Sequence, residues 1–293
     1  MRSVLVTGAN GLLGRSVCKR LLDENVLVSA LFHSKSSLLL DGAKLISLDL
    51  SSNWKCEQLP DRVDAIIYLA QSSRFREFPN SALDVFNVNV ASTARLLDYA
   101  KRVGAEQFIY ASSGGVYGSG SKAFKENADI VPLSQLGYYL GSKACGEILV
   151  QSYASVFQVT VIRPFFMYGP GQNRTMLIPR LVDSVASGKP INLQGSEGIR
   201  INPVHVEDAS AAVVAALDTK KSGTYNIAGP DVLSVRQIAE AMGGHVGKAP
   251  IFQQAEGEPK DLIADISAMQ SELHVPTRHL FESLAELKNQ ELK

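Results

Sequence analysis

A tyrosine and a lysine lie four residues apart in the stretch YLGSK, residues 139–143. Positions i and i+4 of a helix share one face, so a helix here would bring the phenol of Tyr139 beside the ammonium of Lys143. A phenol has a reference pKa of about 10 and is a poor base at neutral pH, but a neighbouring ammonium stabilises the phenolate and lowers that pKa. The pair therefore predicts a group that exchanges a proton with a substrate hydroxyl or carbonyl. The alternative is an ordinary helix surface, where such pairs are common.

A second stretch with chemical potential is ASSGGVYG, residues 111–118, which follows the fifth apolar run of the chain. In a doubly wound sheet the active site lies beyond the carboxyl ends of the strands. Ser113 at this place could hydrogen-bond the reacting oxygen and orient it toward Tyr139. The alternative is a plain serine–glycine turn, but the serine and the Tyr/Lys pair together are more specific than either alone.

Three glycines follow the first apolar run and precede a helix-periodic segment, in the stretch TGANGLLG at residues 7–14. Glycines let the backbone turn sharply and approach a pyrophosphate, and a helix N-terminus offers N–H groups and partial positive charge. The spacing is Gly-x-x-Gly-x-x-Gly rather than the Gly-x-Gly-x-x-Gly of the common fingerprint. The strand–turn–helix context predicts a dinucleotide site. The residues expected to contact the cofactor there are Gly8, Asn10, Gly11, Leu12, Leu13 and Gly14.

The second apolar run ends at His33, Ser34 and Lys35, without the acidic residue that holds the ribose hydroxyls of NAD. Ser34 and Lys35 suit a 2′-phosphate, which slightly favours NADP(H) over the alternative, NAD(H). Lys35 is equally compatible with a solvated loop cation. Asp49 and Leu50 end the third run and are expected near the adenine, although Asp49 could instead cap the next segment.

These residues need a scaffold, and short apolar runs alternate with helix-periodic segments through the first half of the chain. Strands are predicted at residues 3–7, 27–32, 44–48, 65–70, 107–112 and 159–163, and helices at 12–22, 82–102 and 139–157. Continuous apolar strands separated by helices indicate a parallel sheet covered on both faces. The predicted fold class is α/β, a Rossmann-like doubly wound sheet with a smaller C-terminal α/β lobe.

The domain division is expected near residue 170, with 1–170 binding the dinucleotide and 171–293 mainly binding substrate. One strand or helix near residues 171–206 is expected to return to the large domain. Helical patches are predicted at residues 207–217, 234–242 and 267–273.

Composition limits the function classes. The chain has 293 residues, with 29 Lys+Arg against 29 Asp+Glu. This balance argues against bulk binding of nucleic acid or anionic membranes, and no apolar run is long enough to span a bilayer. Cys18, Cys56 and Cys145 are far apart and lack metal-ligand spacing, so we expect no disulfides, no metal site and a cytoplasmic location.

Together these features resemble the extended short-chain dehydrogenase/reductases (SDR) of the NAD-dependent epimerase/dehydratase family. Matching stretches cover almost the whole chain, at residues 7–14, 68–71, 89–97, 112–118, 139–143, 163–171, 200–209 and 223–229. The resemblance implies a catalytic triad of Ser113, Tyr139 and Lys143, with Ser113 chosen because it precedes Val116 by three residues. The further cofactor contacts that it implies are Leu69, Ala70, Gln71, Asn89, Tyr139, Lys143 and Pro164.

The resemblance also implies a nucleotide-sugar substrate. Arg200 matches an arginine that commonly binds the diphosphate, a role that suits a bidentate guanidinium. Phe166 stands where many members have asparagine, and Lys260 stands where arginine is frequent. The expected substrate contacts are Ser113, Phe166, Asn173, Arg200 and Lys260.

Two glycines narrow the reaction. Family dehydratases and decarboxylases carry acidic residues just before Val-Tyr-Gly, where this chain has Gly114 and Gly115. We therefore expect neither 4,6-dehydration nor decarboxylation. A 4-ketoreductase that exchanges NADPH is slightly favoured, and the alternative is a 4-epimerase with tightly bound NAD.

Two other classes of protein are alternatives to a nucleotide-sugar enzyme. A reductase of apolar ketones would need no diphosphate clamp, and a non-catalytic NAD(P)-binding protein would need no triad. Family analogy further implies a homodimer through the helices at residues 82–102 and 139–157.

Overall fold

Seven parallel strands form the central sheet of the computed structural model, which describes residues 1–33 and 40–288. Their spatial order is β3-β2-β1-β4-β5-β6-β9, and the chain reverses direction across the sheet between β1 and β4. The strands are β1 (Ser3–Thr7), β2 (Leu27–Phe32), β3 (Lys44–Ser47), β4 (Ala65–Tyr68), β5 (Gln107–Ala111), β6 (Gln158–Pro164), β7 (Ile191–Gln194), β8 (Arg200–Ile201), β9 (Gly223–Ile227), β10 (Leu233–Ser234) and β11 (Phe252–Ala255). The predicted α/β fold class and all six predicted strands are confirmed.

Helices connect the strands and cover both faces of the sheet. They are α1 (Leu12–Asp23), α2 (Ala82–Phe86), α3 (Ser92–Arg102), α4 (Leu133–Gln151), α5 (Leu177–Ser187), α6 (Val206–Ala215), α7 (Val235–Val246), α8 (Ser267–Glu272) and α9 (Leu284–Lys288). A π-helical turn, Asn87–Ala91, joins α2 to α3, and a 3-10 turn, Gly114–Tyr117, follows β5.

The helix that carries Tyr139 differs from its prediction at both ends. It begins six residues earlier, at Leu133, and Gly137 kinks it with a positive φ of 65° that few other residues adopt. It ends at Gln151 rather than near residue 157, because the following turn brings Phe157 into the core beneath β5 and β6.

Two apolar layers hold the sheet. On one face α1 and α6 pack together over side chains of β1, β4 and β9, including Val6, Ile67 and Ile227. On the other face α3 and α4 cover Leu5, Ile66 and Phe108. Burial on both faces explains why these strands are continuous apolar runs rather than alternating ones.

The smaller lobe has its own core. A parallel pair of β11 with β7 and an antiparallel pair of β10 with β8 lie beside α5 and α7, around Leu181, Ile191, Ile238 and Met242. The elements that return to the large sheet are α6 and β9, which lie later in the chain than the expected 171–206. The boundary near residue 170 stays a prediction.

Within residues 1–33 and 40–288, helices with the length and apolar character of a membrane span are absent. Over the same residues, no three His, Cys, Asp or Glu side chains are grouped to hold a metal ion.

Candidate active site

The glycine turn between β1 and α1 has the geometry of a phosphate cradle. Gly8 has a φ of +68°, and a β-carbon there would lie 2.9 Å from the backbone of Ala70. A β-carbon at Gly14 would lie 2.1 Å from the Gly8 carbonyl oxygen, so only glycine lets the helix approach the turn. The helix starts after Gly11 without a hydrogen bond from a described side chain, which leaves its first N–H groups available to an anion. These residues fit a dinucleotide pyrophosphate.

The adenosine end of this site is described only in part. Ser34 and Lys35, which carried the expected NADP(H) preference, lie outside the described residues. His33 Nε2 lies 3.6 Å from Asp49 Oδ2 at the ends of β2 and β3. Asp49 also accepts hydrogen bonds from the N–H and hydroxyl of Ser51 at 2.8 and 2.7 Å, so it caps the following turn as the alternative interpretation proposed. Leu50 is buried in the core.

Ser113 lies directly beyond β5, where the predicted topology placed it. Its Oγ accepts a hydrogen bond from Gly115 N at 3.1 Å and so opens the 3-10 turn. The neighbouring Ser112 hydroxyl is buried without a partner among the described residues. Buried hydroxyls without partners are rare, so Ser112 is an unsatisfied polar group next to Ser113.

Tyr139 is less acidic than its sequence context predicted. Burial raises its pKa to about 12, and the Ser113 hydroxyl and the charge of Arg76 offset this only in part. The expected lowering by Lys143 is wrong for this arrangement, because the lysine side chain is directed elsewhere. The hydroxyl of Tyr139 donates to Gln71 Oε1 at 2.9 Å.

Lys143 is buried beneath the site, with Nζ donating to the carbonyl of Ala111 at 2.8 Å. Burial lowers its pKa to about 7, although the Glu147 carboxylate one turn later raises it. Glu147 is itself held by two bonds from Arg163, at 3.0 and 2.6 Å. Lys143 is therefore bonded to the strand end, and the charge of the nearby Glu147, itself paired with Arg163, acts on its pKa.

Asn89 connects two parts of the site from inside the protein. It is fully buried in the π-helical turn, and its Oδ1 accepts from Ser72 N at 3.2 Å. Its Nδ2 donates to Ser142 Oγ at 2.9 Å, and Ser142 Oγ donates to the Tyr139 carbonyl at 2.6 Å. Both ends of the amide are thus engaged within the protein, while its expected cofactor contact stays a prediction.

The two glycines before Val116 carry no acidic side chain, and Gly114 is packed tightly against a ring. A β-carbon at Gly114 would lie 2.4 Å from the Phe165 ring, and one at Gly115 would lie 2.9 Å from Leu140 Cδ2. The packing therefore agrees with the absence of a second acid at this point.

A cavity of about 550 Å³ adjoins these elements. Its lining residues include Gly118, Gln135, Arg200, Lys260 and Asp261. The cavity therefore brings together the end of the 3-10 turn, the start of α4 and the two cations expected to bind a diphosphate.

Sequence reasoning missed that Arg200 already has an anionic partner. Arg200 Nε and Nη2 donate to Asp261 Oδ2 at 2.8 and 2.6 Å, and its backbone N–H donates to Asp261 Oδ1. The guanidinium remains half exposed, so a phosphate can approach its other edge. Lys260 is exposed beside it.

The other expected contacts lie on the chain that leaves β6. Pro164 ends the strand, and Phe166 has a positive φ of 30°, which is uncommon for a bulky residue. Asn173 Oδ1 accepts from the N–H and hydroxyl of Thr175, so this side chain stabilises its own loop. Leu69 is partly buried against the core beside α1.

The loop after β4 makes contacts with Tyr139 and with the smaller lobe that the sequence did not predict. The Phe75 ring packs against the Tyr139 ring with centroids 4.7 Å apart. Arg76 lies over Phe75 and donates to the Thr175 carbonyl at 3.2 Å, which ties this loop to the smaller lobe. Glu147, in contrast, could have been found from its i+4 spacing to Lys143.

Comparisons with known proteins agree with this geometry. The model of the NAD dependent epimerase/dehydratase family matches residues 4–228. An uncharacterized UDP-glucose epimerase of Bacillus subtilis (strain 168) is 28% identical over 92% of each chain. The crystal structure of UDP-glucuronic acid 4-epimerase from Bacillus cereus with UDP-glucuronic acid and NAD is 27% identical, with a TM-score of 0.85 over 98% of both chains. MoeE5 with UDP-glucose and NAD is 26% identical, with a TM-score of 0.82 over 98% of this chain and 97% of that one.

The expected preference for NADP(H) is wrong. Both of these solved structures hold NAD. The preference had depended on Ser34 and Lys35, two polar residues whose types alone do not define a 2′-phosphate site.

Proposed function

The chain belongs to the NAD-dependent epimerase/dehydratase family, and we propose that it is a UDP-sugar 4-epimerase. It is an NAD-dependent enzyme of the SDR type that acts on nucleotide-sugars. The observation that carries the proposal is Tyr139 as the candidate proton-transfer group together with Gly114 and Gly115, which carry no side chain that could act as a second acid before Val116. A site with one proton-transfer group suits the oxidation of an alcohol to a ketone and the reduction of that ketone back to an alcohol.

In the proposed mechanism, the phenolate form of Tyr139 takes the proton of the C4 hydroxyl, and the resulting phenol returns it to the same oxygen. Bound NAD supplies the hydride acceptor and donor for the sugar carbon. Ser113 hydrogen-bonds the reacting oxygen, and Lys143 supports the site from beneath through the Ala111 carbonyl. Arg200 and Lys260 bind the diphosphate and so retain the 4-keto sugar while it rotates to present its other face.

The slight preference for a ketoreductase loses its basis with the cofactor correction. A ketoreductase consumes its dinucleotide, whereas an epimerase regenerates NAD in each turnover. The two similar solved structures are a UDP-glucuronic acid 4-epimerase and a protein in complex with UDP-glucose, each with NAD. These similarities support the epimerase alternative.

The deciding experiment follows UDP-glucose and UDP-glucuronic acid separately with the purified protein and NAD. We expect conversion to the C4 epimer, measured by NMR, with no net change in NADH absorbance. Tyr139→Phe removes the proton-transfer group and lowers the rate by about 100-fold or more. Stoichiometric consumption of a reduced cofactor with a 4-keto sugar, without epimer formation, would contradict the proposal.

We also propose that the protein is a homodimer through α2, α3 and α4. Leu83, Phe86 and Ile148 are exposed on these helices, which supports an apolar contact surface. Leu97 on α3 and Ala144 on α4 are buried in the chain's own core and do not contribute to this surface. A monomeric mass by light scattering would contradict the dimer.

A further inference from the structure

Gln71 is the hydrogen-bond acceptor for the hydroxyl of the proton-transfer tyrosine. Its Oε1 lies 2.9 Å from the Tyr139 oxygen, although the two residues are 68 positions apart in the chain. We propose that Gln71 is a positioning residue that holds the Tyr139 proton between the two half-reactions and favours the protonated phenol. The proposal rests on the proposed function for its chemistry, but its geometry is independent of the substrate.

The backbone on both sides of Gln71 is fixed. Ala70 N donates to Thr7 Oγ1 at 3.1 Å, which ties the segment to the end of β1. Ser72 N donates to Asn89 Oδ1, and the Ser72 hydroxyl donates to Asp84. The Gln71 side chain therefore extends from an anchored segment rather than from a loose loop.

The same buried asparagine also fixes the tyrosine. Asn89 Nδ2 donates to Ser142, whose hydroxyl donates to the Tyr139 carbonyl. The bond between Gln71 and Tyr139 thus closes a ring of hydrogen bonds whose opposite corner is Asn89. The backbone segments that carry Gln71 and Tyr139 are therefore both held by one buried side chain.

The amide has different contacts with the two forms of Tyr139. Oε1 accepts only from the protonated phenol, whereas a phenolate would need the Nε2 group to rotate toward it. A hydrogen bond to the neutral form of a group raises the pKa of that group. As placed, Gln71 therefore keeps the proton available for the step in which Tyr139 acts as an acid.

Four other polar or titratable groups lie near Tyr139: Ser113, Arg76, Tyr110 and Lys143. Ser113 and Arg76 lower the pKa of Tyr139 from the β5 end and from the loop after β4. Tyr110 is also near, since a negative charge on Tyr139 raises the pKa of Tyr110. Lys143 lies one turn after Tyr139 on α4. Each of these groups is unchanged in variants of Gln71, so a shift in such variants reports on the amide.

The test compares the pH dependence of epimerisation in wild type, Gln71→Met and Gln71→Glu, each with NAD. Ser73→Glu is the matched control, because it adds the same charge at an exposed position of the same segment that makes no hydrogen bond within the described residues. We expect Gln71→Met to move the alkaline-rising limb of kcat/KM down by up to about one pH unit. Gln71→Glu places a carboxylate beside the phenol and moves the limb up by at least about one unit.

A second readout does not need turnover. The ring signal of Tyr139, labelled with ¹³C and assigned by its loss in Tyr139→Phe, should titrate at lower pH in Gln71→Met and at higher pH in Gln71→Glu. Unchanged titration in both variants, or an upward shift in Gln71→Met, would overturn the inference. If wild type epimerises no UDP-sugar, the proposed function fails, while this titration still decides the role of Gln71.

Discussion

Replacing Glu147 by glutamine should strongly destabilise the protein. The Glu147→Gln change keeps the shape of the side chain but removes the negative charge that Arg163 contacts through two bonds. The side chains of Arg163 and Glu147 are only 6% and 3% exposed, so water cannot replace the lost partner.

The size of the effect follows from this burial. Breaking a buried ion pair by removing one partner costs about 3–5 kcal/mol, because the remaining charge stays uncompensated. Arg163 keeps bonds to the Tyr117 hydroxyl and the Glu126 carbonyl, at 2.5 and 3.2 Å, which places the expected loss at the lower end. We expect a loss of about 3 kcal/mol in the free energy of unfolding.

Urea unfolding monitored by circular dichroism measures this loss. The matched control is Glu240→Gln, which breaks the exposed i,i+4 pair with Arg236 and should change stability by about 0.5 kcal/mol or less. The double variant Glu147→Leu/Arg163→Met removes both buried charges and should regain most of the loss. The Tyr117 hydroxyl keeps its bond to Asn226 Oδ1 at 2.9 Å in that variant.

The reasoning is refuted if Glu147→Gln is no more destabilising than Glu240→Gln. It is also refuted if the double variant is less stable than the single one, because the loss would then reflect packing rather than an unpaired charge.

Two further changes have clear expected outcomes. Lys143→Met should raise Tm by a few degrees at pH 7 while abolishing epimerisation. Burial lowers the pKa of Lys143 in the folded state to about 7, below its value in the unfolded chain. The contribution of this lysine to stability therefore falls as the pH falls. The Tm difference should therefore narrow as the pH rises toward about 10, and a constant difference would argue against a buried charge. Gly14→Ala should abolish NAD binding in calorimetry and lower Tm, because its β-carbon would meet the Gly8 carbonyl. Gly141→Ala, where the β-carbon has nothing within 4 Å, is the control and should keep both.

The sequence predicted the large sheet because its strands are buried on both faces and read as continuous apolar runs. It did not predict β8 and β10, which have two residues each and carry no measurable periodicity. It also did not predict β9, because the sequence GTYNI mixes glycine, threonine and asparagine with two apolar side chains and forms no continuous apolar run.

The candidate site was also predicted in part from the sequence. The i+4 spacing correctly placed Tyr139 and Lys143 on one helix. It could not predict that Lys143 reaches the Ala111 carbonyl, because that bond depends on how α4 packs on β5. The partners Gln71 for Tyr139 and Asp261 for Arg200 come from distant loops, and their residue types give no indication of the pairing.

The return of β9 to the large sheet also makes the two lobes inseparable. A fragment that ended at residue 170 would lose α6, which covers α1, and would leave β6 as an open edge. Unpaired edge strands of this kind template association with other chains. We therefore expect truncation near residue 170 to give an associating fragment, because β9, which closes the large sheet, follows β7 and β8 of the smaller lobe in the chain.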